Sequence, residues 1–221
     1  MAPIHDAASD ADVETLRRLL EEGVSPDATD FRAFTPLHRL CRRRNATGDY
    51  AACFKLLRDA GANLEAADSD RLTPLHLAAS FANVEIMTLL VEAGANVNAA
   101  SYIDSTALHF AAFNSADCVD VLLARGASVN ARDRYGRTPL DMALSHICRR
   151  MWPLFLRAGA EIPTVCENLT HPYIVRVSNA GGFQRYAQAH VARIASILET
   201  PLLPPELVRK VLEFWLHAGY Y

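Results

Sequence analysis

One four-residue motif recurs along the chain at a nearly constant interval. It reads TPLH at Thr35–His38 and at Thr73–His76, and near-copies follow at Thr106–His109 and Thr138–Asp141. The motif threonines are separated by 38, 33 and 32 residues. A motif that returns with such a period is typical of a solenoid built from stacked supersecondary units. A chain with this pattern is therefore expected to fold as a linear array of repeats.

A second marker follows the same period. Five glycines are separated by 38, 33, 32 and 33 residues, and four of them close a segment of the type LLxxG or LxxxG, whereas Gly159 closes FLRAG. These glycines are Gly23, Gly61, Gly94, Gly126 and Gly159. Glycine commonly ends a helix because it adopts the left-handed conformation without a steric cost. The two markers together predict a helix that begins at each threonine motif and a second helix that ends at each glycine.

Residues 73–105 give the clearest view of one unit. Thr73 is expected to cap a short inner helix, and Pro74 suits its first position, where no amide donor is needed. The apolar residues from Val84 onward predict a second, amphipathic outer helix that ends at Gly94. No single unit could bury its apolar face alone, so the units are expected to stack.

The pattern resembles the ankyrin-repeat family, whose hallmark is a TPLHxAA inner helix followed by an LLxxGAxxNA segment. The resemblance covers roughly residues 4–160. It implies an all-α ankyrin-repeat solenoid in which helix-turn-helix repeats carry β-hairpin-like fingers. The predicted ankyrin-repeat domain spans residues 1–160, with a cap at 1–29 and repeats at about 30–67, 68–100, 101–132 and 133–160.

The family resemblance also implies a structural role for the motif threonine and histidine. They are expected to hydrogen-bond the turn and to tie one repeat to the next. The alternative is a metal site formed by His38, His76 and His109. It fails because stacked repeats place equivalent atoms about 10 Å apart, whereas zinc ligands lie about 2 Å from the metal.

Two units depart from the pattern. The second carries five extra residues around Arg42–Gly48, which predicts a longer turn between its helices. The three consecutive arginines there either receive a carboxylate or phosphate or are simply solvated. The fourth unit replaces the motif histidine with Asp141 and places Pro153 inside its second helix. That helix is expected to start late or to bend.

The chain after the repeats is predicted to form a linker and a helical tail. Residues 161–179 contain two prolines and no helical period, so 161–180 is expected to be a linker or an extended segment packed along the last repeat. Apolar residues from Phe183 to Ile197 recur at helical spacing. A further helix is expected at 204–215, which makes residues 181–221 a two-helix tail.

The stretch LPPELVRKVLEFW in this tail resembles the opening helix of an F-box and, more loosely, the proline-leucine end of a SOCS box. The resemblance implies an adaptor subunit of a cullin ubiquitin ligase as a partner, docked through Leu207, Val211 and Trp215. The alternative is that the tail helices fold back as a cap on the repeat stack. The sequence leaves both alternatives open.

Composition and motifs exclude several classes of function. A net charge of -3 and a pI near 6.2 provide no global attraction to phosphate backbones or anionic lipid, so neither nucleic acid nor membrane is an expected partner. No phosphate-binding loop, dinucleotide fingerprint, HExxH or GxSxG motif occurs. We therefore expect a non-enzymatic protein without a cofactor or a metal.

Cysteine usage and hydropathy indicate the compartment. The five cysteines are odd in number and form no CxxC pair, which fits a reducing compartment. The amino-terminal residues lack the features of a signal peptide, and no apolar run reaches the roughly 18 residues that span a bilayer. The expected protein is a monomer of the cytoplasm or nucleus.

The family resemblance implies partner contacts at the finger tips and on the concave side of the inner helices. Aromatic and arginine side chains dominate the binding energy of interfaces. The expected contact residues at the tips are Phe31, Arg32, Phe34, Arg71, Tyr102, Arg134 and Tyr135. Those on the inner helices are Arg39, Arg42, Leu77, Phe81, Phe110 and Phe113.

The inner-helix stripe is apolar with a basic end, and it has two interpretations. Either its aromatic side chains turn into the stack or lie under the tail, or the stripe is an open groove. An open groove predicts a protein or peptide ligand with apolar anchors and some acidic character. The function expected from the sequence is a protein-interaction scaffold or adaptor, with a ubiquitin-ligase substrate receptor as the alternative.

Overall fold

The computed structural model of the protein describes residues 3–42, 48–145, 149–163 and 171–189. Within these ranges the chain is helical and forms no β-strand, which confirms the all-α prediction. Ten helices form five pairs, in chain order: α1 (Pro3–Asp10) with α2 (Val13–Glu21), α3 (Pro36–Cys41) with α4 (Tyr50–Asp59), α5 (Pro74–Ser80) with α6 (Val84–Glu92), α7 (Ala107–Asn114) with α8 (Ala116–Ala124), and α9 (Pro139–Ser145) with α10 (Trp152–Arg157).

The pairs stack into two layers. Each inner helix packs on the next inner helix, from α1 through α3, α5 and α7 to α9. The outer helices α2, α4, α6, α8 and α10 pack on one another in the same order. Fully buried alanines at Ala78, Ala79, Ala111 and Ala112 leave room for the inner helices to approach closely. The repeat solenoid predicted from the sequence period is confirmed.

The motif threonine and histidine begin three of the inner helices in the same way. Thr35, Thr73 and Thr106 have extended backbones at the helix start. The backbone N–H of each threonine donates to Nδ1 of the histidine three residues later, over 3.1, 3.0 and 3.1 Å. The ring thereby satisfies an amide that the helix itself leaves without a partner.

The other nitrogen of each ring ties one repeat to the next. Nε2 of His38 donates to the carbonyl of Leu72, and Nε2 of His109 donates to that of Arg137, both over 3.0 Å. His76 reaches the Ser105 carbonyl over 3.1 Å, and His5 of the first unit reaches the Phe34 carbonyl over 2.8 Å. These four histidines are buried and form a ladder along the inner layer.

The ladder ends at the fourth motif. Oδ2 of Asp141 accepts from the Thr138 backbone N–H over 2.6 Å and from the Thr138 hydroxyl over 2.8 Å, so the helix start is preserved. An ionised carboxylate has no N–H group, so Asp141 cannot donate to a carbonyl of the next unit as the histidines do. Pro153 lies in the first turn of α10, which begins at Trp152, and the late start expected for this helix is therefore observed.

Four short hairpins precede the inner helices α3, α5, α7 and α9, and we call them fingers 1 to 4: residues 30–34, 68–72, 101–105 and 133–137. In each, the N–H of the first residue donates to the carbonyl of the last over 2.9 to 3.0 Å. Neighbouring tips share one further backbone bond each. Ser69 donates to Arg32, Tyr102 donates to Asp70, and Arg134 donates to Ile103, over 3.3, 2.9 and 2.9 Å.

The segment predicted to be a linker contains an eleventh helix, α11 (Pro172–Asn179), so the prediction of an extended segment is wrong there. Nδ1 of His171 accepts from the Tyr173 N–H over 3.3 Å, and Pro172 occupies the first helical position. Ile174 and Val177 are buried and join the core of the stack. Residues 183–189 are also helical, as expected, and the rest of the predicted tail lies outside the described residues.

Candidate partner-binding surface

Exposed aromatic side chains collect on the fingers. Among the described residues, four large hydrophobic side chains are exposed, and three of them lie at finger tips: Phe31 at 84%, Tyr102 at 57% and Tyr135 at 67%. The fourth, Val175 in α11, is exposed at 37%. Single exposed apolar residues are ordinary on protein surfaces, but a shared face is a mark of an interaction surface.

Arginine side chains lie over these exposed rings. The Arg32 guanidinium is 5.7 Å from the ring centre of Phe31, and that of Arg134 is 4.4 Å from the ring centre of Tyr102. Arg134 reaches from finger 4 to finger 3, where it also donates to the Tyr102 carbonyl over 2.6 Å. Stacking on aromatic faces holds each guanidinium in place before a partner arrives.

Finger 4 carries a further pair. The Arg137 guanidinium lies 4.8 Å from the Tyr135 ring centre and donates twice to Oδ2 of Asp133, over 2.9 and 2.7 Å. Burial opposes ionisation of Asp133, but hydrogen bonds from Arg137 and from two backbone amides outweigh burial and hold its pKa below the usual value. The finger is therefore fixed around an ionised carboxylate.

Finger 1 has a comparable internal pair. Arg39 forms an ion pair with the almost fully buried carboxylate of Asp30, and its guanidinium lies 5.3 Å from the ring centre of Phe34. Burial opposes ionisation of Asp30, but hydrogen bonds from Arg39 and from the Arg32 and Phe34 amides together lower its pKa. Arg39 is thus engaged inside the protein, not held out toward a partner.

Two predicted contact residues belong to the core. Phe34 and Leu77 are each 6% exposed, and the Phe34 ring stacks on that of His38 with 5.5 Å between centres. Arg42 lies over Phe34 at 5.3 Å and over Phe81 at 5.6 Å, and so covers both rings. The expectation that Phe34 and Leu77 are available to a partner is wrong, because the stack fills the space around them.

The remaining predicted contact residues divide by exposure. Phe31, Arg32, Arg71, Tyr102, Arg134 and Tyr135 are exposed at the tips, whereas Arg39, Arg42, Phe81, Phe110 and Phe113 are partly buried at the inner helices. The second group forms a half-open stripe instead of a fully open groove. The three predicted adaptor-docking residues, Leu207, Val211 and Trp215, lie outside the described residues, and their role stays a prediction.

One pocket opens between fingers 2 and 3. It has a volume of about 230 Å³ and is lined by Asp70, Leu72, Ser101, Tyr102, Ile103 and Phe110. The Phe110 ring stands edge-on to that of His76, with 5.7 Å between centres, so contact with a buried ring of the preceding inner helix helps to hold its position. The pocket therefore joins an exposed tip residue, Tyr102, to an inner-helix residue of the predicted stripe.

Sequence reasoning missed the residues that shape the fingers. The carboxylates of Asp30, Asp68 and Asp133 each accept two backbone N–H groups of their own finger, and the Ser101 hydroxyl accepts one. All four side chains stand five residues before a motif threonine. That spacing was the signal that could have identified them, because Asp and Ser side chains commonly bond their own turn.

The metal-ligating and thiol side chains of the described residues form no further cluster of this kind. No group of three or more His, Cys, Asp or Glu side chains in them is placed to hold a metal. Burial raises the pKa of the Cys41 and Cys118 thiols, and it raises that of Cys53 to about 11, so these three thiols stay protonated. No helix in the described part of the chain has the length and apolar character to cross a membrane.

Paired helices, a row of fingers and an aromatic finger surface define a repeat solenoid of the protein-interaction class. Comparison with known families agrees. Residues 4–101 match the family of ankyrin repeats in three copies, and residues 90–143 match that of ankyrin repeats in many copies. The chain belongs to the ankyrin-repeat family, whose members are generally non-enzymatic protein-protein interaction modules.

The curated relatives that this chain matches are much longer proteins. It is 29% identical to the transient receptor potential cation channel subfamily A member 1 of Drosophila melanogaster, over 84% of this chain and 16% of the channel. It is 30% identical to the human SH3 and multiple ankyrin repeat domains protein 2, over 65% of this chain and 8% of that protein.

The transient receptor potential channel pyrexia of Drosophila melanogaster is 35% identical, over 58% of this chain and 13% of the channel. The chain thus spans less than a fifth of the length of each of these relatives.

Proposed function

We propose that this chain is a non-enzymatic scaffold or adaptor that binds a protein partner through its finger face, meaning the four finger tips and the adjoining side of the inner helices. The observation that carries the proposal is the exposure of Phe31, Tyr102 and Tyr135 on this one face. Burying a large apolar side chain contributes about 1.5 to 3 kcal/mol of favourable free energy, and these side chains remain exposed in the folded chain. A partner that covers them would recover it.

Charge on the finger face favours a partner with acidic character. The carboxylates of Asp30, Asp68 and Asp133 are buried and hydrogen-bonded within their fingers, which leaves Asp70 and Asp104 as the exposed acidic residues of the fingers. Exposed arginines that make no salt bridge within the described residues still outnumber them: Arg32, Arg71 and Arg134. Arginine and aromatic residues together are the types that dominate binding energy at interfaces.

The proposed compartment is the cytoplasm or nucleus, and the proposed state is a monomer. Cys41, Cys53 and Cys118 are buried free thiols in the described part of the chain. Unpaired buried cysteines are ordinary in a reducing compartment. The stack already supplies neighbours for the apolar faces of α1 to α10, so the proposal needs no second copy.

Site-specific photocrosslinking in cells tests the proposal. A benzophenone amino acid replaces Tyr102 or Tyr135 in one set of variants and Arg125, exposed just after the outer helix α8, in the control. We expect discrete crosslinked protein bands from the finger positions and none from position 125. The combined change Phe31→Ser, Tyr102→Ser and Tyr135→Ser should remove bands formed from a crosslinker at position 71. The same bands from position 125 alone would contradict the proposal.

A further inference from the structure

The repeats differ at an inner-helix position that lines the pocket between fingers 2 and 3. The residue after each motif histidine or its replacement is Arg39 in α3, Leu77 in α5, Phe110 in α7 and Met142 in α9. Leu77 and Met142 are 6% and 7% exposed, whereas Phe110 stays partly exposed. Phe110 lines the pocket between fingers 2 and 3.

The lining of the pocket comes from both fingers and from α7. Finger 1 ends in Phe34, whose ring is buried and stacks on His38. Finger 2 ends in the smaller Leu72, which lines the pocket together with Phe110 of α7 and residues of finger 3. The pocket therefore lies at the step between fingers 2 and 3.

Size and lining restrict what the pocket can hold. At about 230 Å³ it is smaller than the roughly 300 to 1,000 Å³ typical of small-molecule sites, so one side chain fits it better than a cofactor does. Its walls are the side chains of Leu72, Tyr102, Ile103 and Phe110. An apolar side chain suits these walls, and a charged one would lose its hydration among them.

Charges differ on the two sides of the pocket. Asp70 lies at its finger 2 side and makes no salt bridge within the described residues. Arg134 lies toward finger 4, over the Tyr102 ring, and pairs with no carboxylate of the described chain. An acidic residue of a bound segment is therefore attracted to the Arg134 side and repelled from the Asp70 side.

We propose that this pocket receives one apolar side chain of leucine or methionine size from an extended partner segment, and that the segment carries an acidic residue on the side of Arg134. This inference rests on the proposed function and specifies the partner's chemistry. Neighbouring repeats lie about 10 Å apart and an extended chain advances about 3.3 Å a residue, so the acidic residue stands about two or three positions from the anchor.

Selection from a phage-displayed library of random dodecapeptides on the full chain tests this motif. We expect enriched peptides to share an apolar residue with Asp or Glu two or three positions away. A synthetic peptide from the enriched pool then serves as the probe for measuring Kd with four proteins: the natural chain, Ile103→Lys, Arg134→Glu and the control Ala124→Lys. The control places the same added charge on the outer helix α8.

Ile103→Lys should weaken binding at least tenfold, because it brings a cation into the pocket. The other fingers carry Arg32, Asp70 and Tyr135 at this position, all exposed, so the fold accepts a polar residue there, and an unchanged Tm checks it. Arg134→Glu should weaken binding several-fold, and a peptide with Lys in place of its acidic residue should recover it. Ala124→Lys should bind like the natural chain.

Other outcomes overturn the inference in distinguishable ways. Peptides that lose binding with Tyr135→Ser but not with Ile103→Lys would show a working finger face without an anchor pocket, and the proposed function would survive. Enrichment of Lys or Arg as the anchor, opposite Asp70, would show that the pocket takes a cation. Peptides insensitive to every finger variant, or no enriched peptide, would count against both proposals.

Discussion

At the scale of single residues, the motif histidines do two jobs that require one protonation state. In His76, Nδ1 accepts from the Thr73 N–H while Nε2 donates to a carbonyl of the next repeat. This arrangement, assigned from the hydrogen-bond network, requires a neutral ring with its proton on Nε2. A second proton on Nδ1 would face an amide hydrogen. The fold therefore depends on these rings remaining uncharged.

Stability should fall on mild acidification. Burial lowers the pKa of His38, His76 and His109, and that of His76 falls to about 4, whereas the unfolded value is about 6.5. Between these values the unfolded chain binds more protons, so the free energy of unfolding is highest above pH 6.5 and falls as the pH falls toward 4. We expect His76 alone to account for about 3 kcal/mol of this loss.

Urea denaturation at pH 7, 5.5 and 4.5 measures this loss. The carboxylates of Asp30 and Asp133 have lowered pKa values, so their contribution is lost only below about pH 4 and does not overlap this window. A free energy of unfolding that stays constant from pH 7 to 4.5 would show that the buried histidines do not titrate as the ladder requires.

One substitution at His76 can separate the contribution of the hydrogen bond between repeats from that of the helix cap. His76→Asn keeps an oxygen that can accept from the Thr73 N–H but loses the donor to Ser105, so we expect a loss of about 2 kcal/mol in the free energy of unfolding. Asp141→Asn is the matched control, because the Asp141 side chain makes no link to a following repeat within the described residues, and it should cost less than about 1 kcal/mol. Equal losses in urea denaturation would contradict this division.

At the scale of elements, the glycine after each outer helix fixes where the chain turns back. Gly94 has a φ of +95°, and no atom lies within 4 Å of the position of an added Cβ. Gly94→Ala should therefore lower the free energy of unfolding by about 1 kcal/mol through backbone strain alone. Gly94→Asn should cost less, because asparagine tolerates the left-handed region. Thermal unfolding of both variants measures the two losses in stability. A larger loss for Gly94→Asn than for Gly94→Ala would contradict this explanation.

The elements also show what the sequence could and could not predict. Nine of the ten paired helices, all except α1, were predictable because each carries its own signal, a capping threonine or a closing glycine. Helix α11 was missed because it is short and buries only Ile174 and Val177, too few apolar positions to define a period. Pro172 at its first position was a usable signal for a helix start, but one proline without a run of apolar positions was too weak to predict a helix.

The candidate site was predicted less completely than the fold. Residue type predicted the tips as contact residues, because aromatic and arginine side chains dominate binding energy at interfaces. Phe34 and Leu77 were misplaced because burial on the inner helices depends on how neighbouring side chains fill each step, and the repeat pattern is the same whether a step is filled or open. The pocket at Phe110 could be found only from the packing.

At the scale of the whole molecule, each helix pair contacts mainly its neighbours, and stability is expected to be distributed along the stack. Leu16→Ala removes a fully buried side chain in α2 and should cost about 2 to 5 kcal/mol locally. Hydrogen exchange should show lost protection concentrated in α1 to α4. Leu122→Ala, equally buried in α8, is the control and should shift the loss to α7 to α10. Uniform loss in both variants would instead indicate one cooperative unit.

The fingers are held unequally at their two ends, and this gives the surface a graded stiffness. Each base is anchored by a buried histidine of the preceding repeat, while neighbouring tips share one backbone hydrogen bond. Parting two tips costs about 1 kcal/mol, whereas moving a base requires the inner layer to separate. The finger tips are therefore expected to change their spacing to fit a partner, while the finger bases and the inner helices keep their positions.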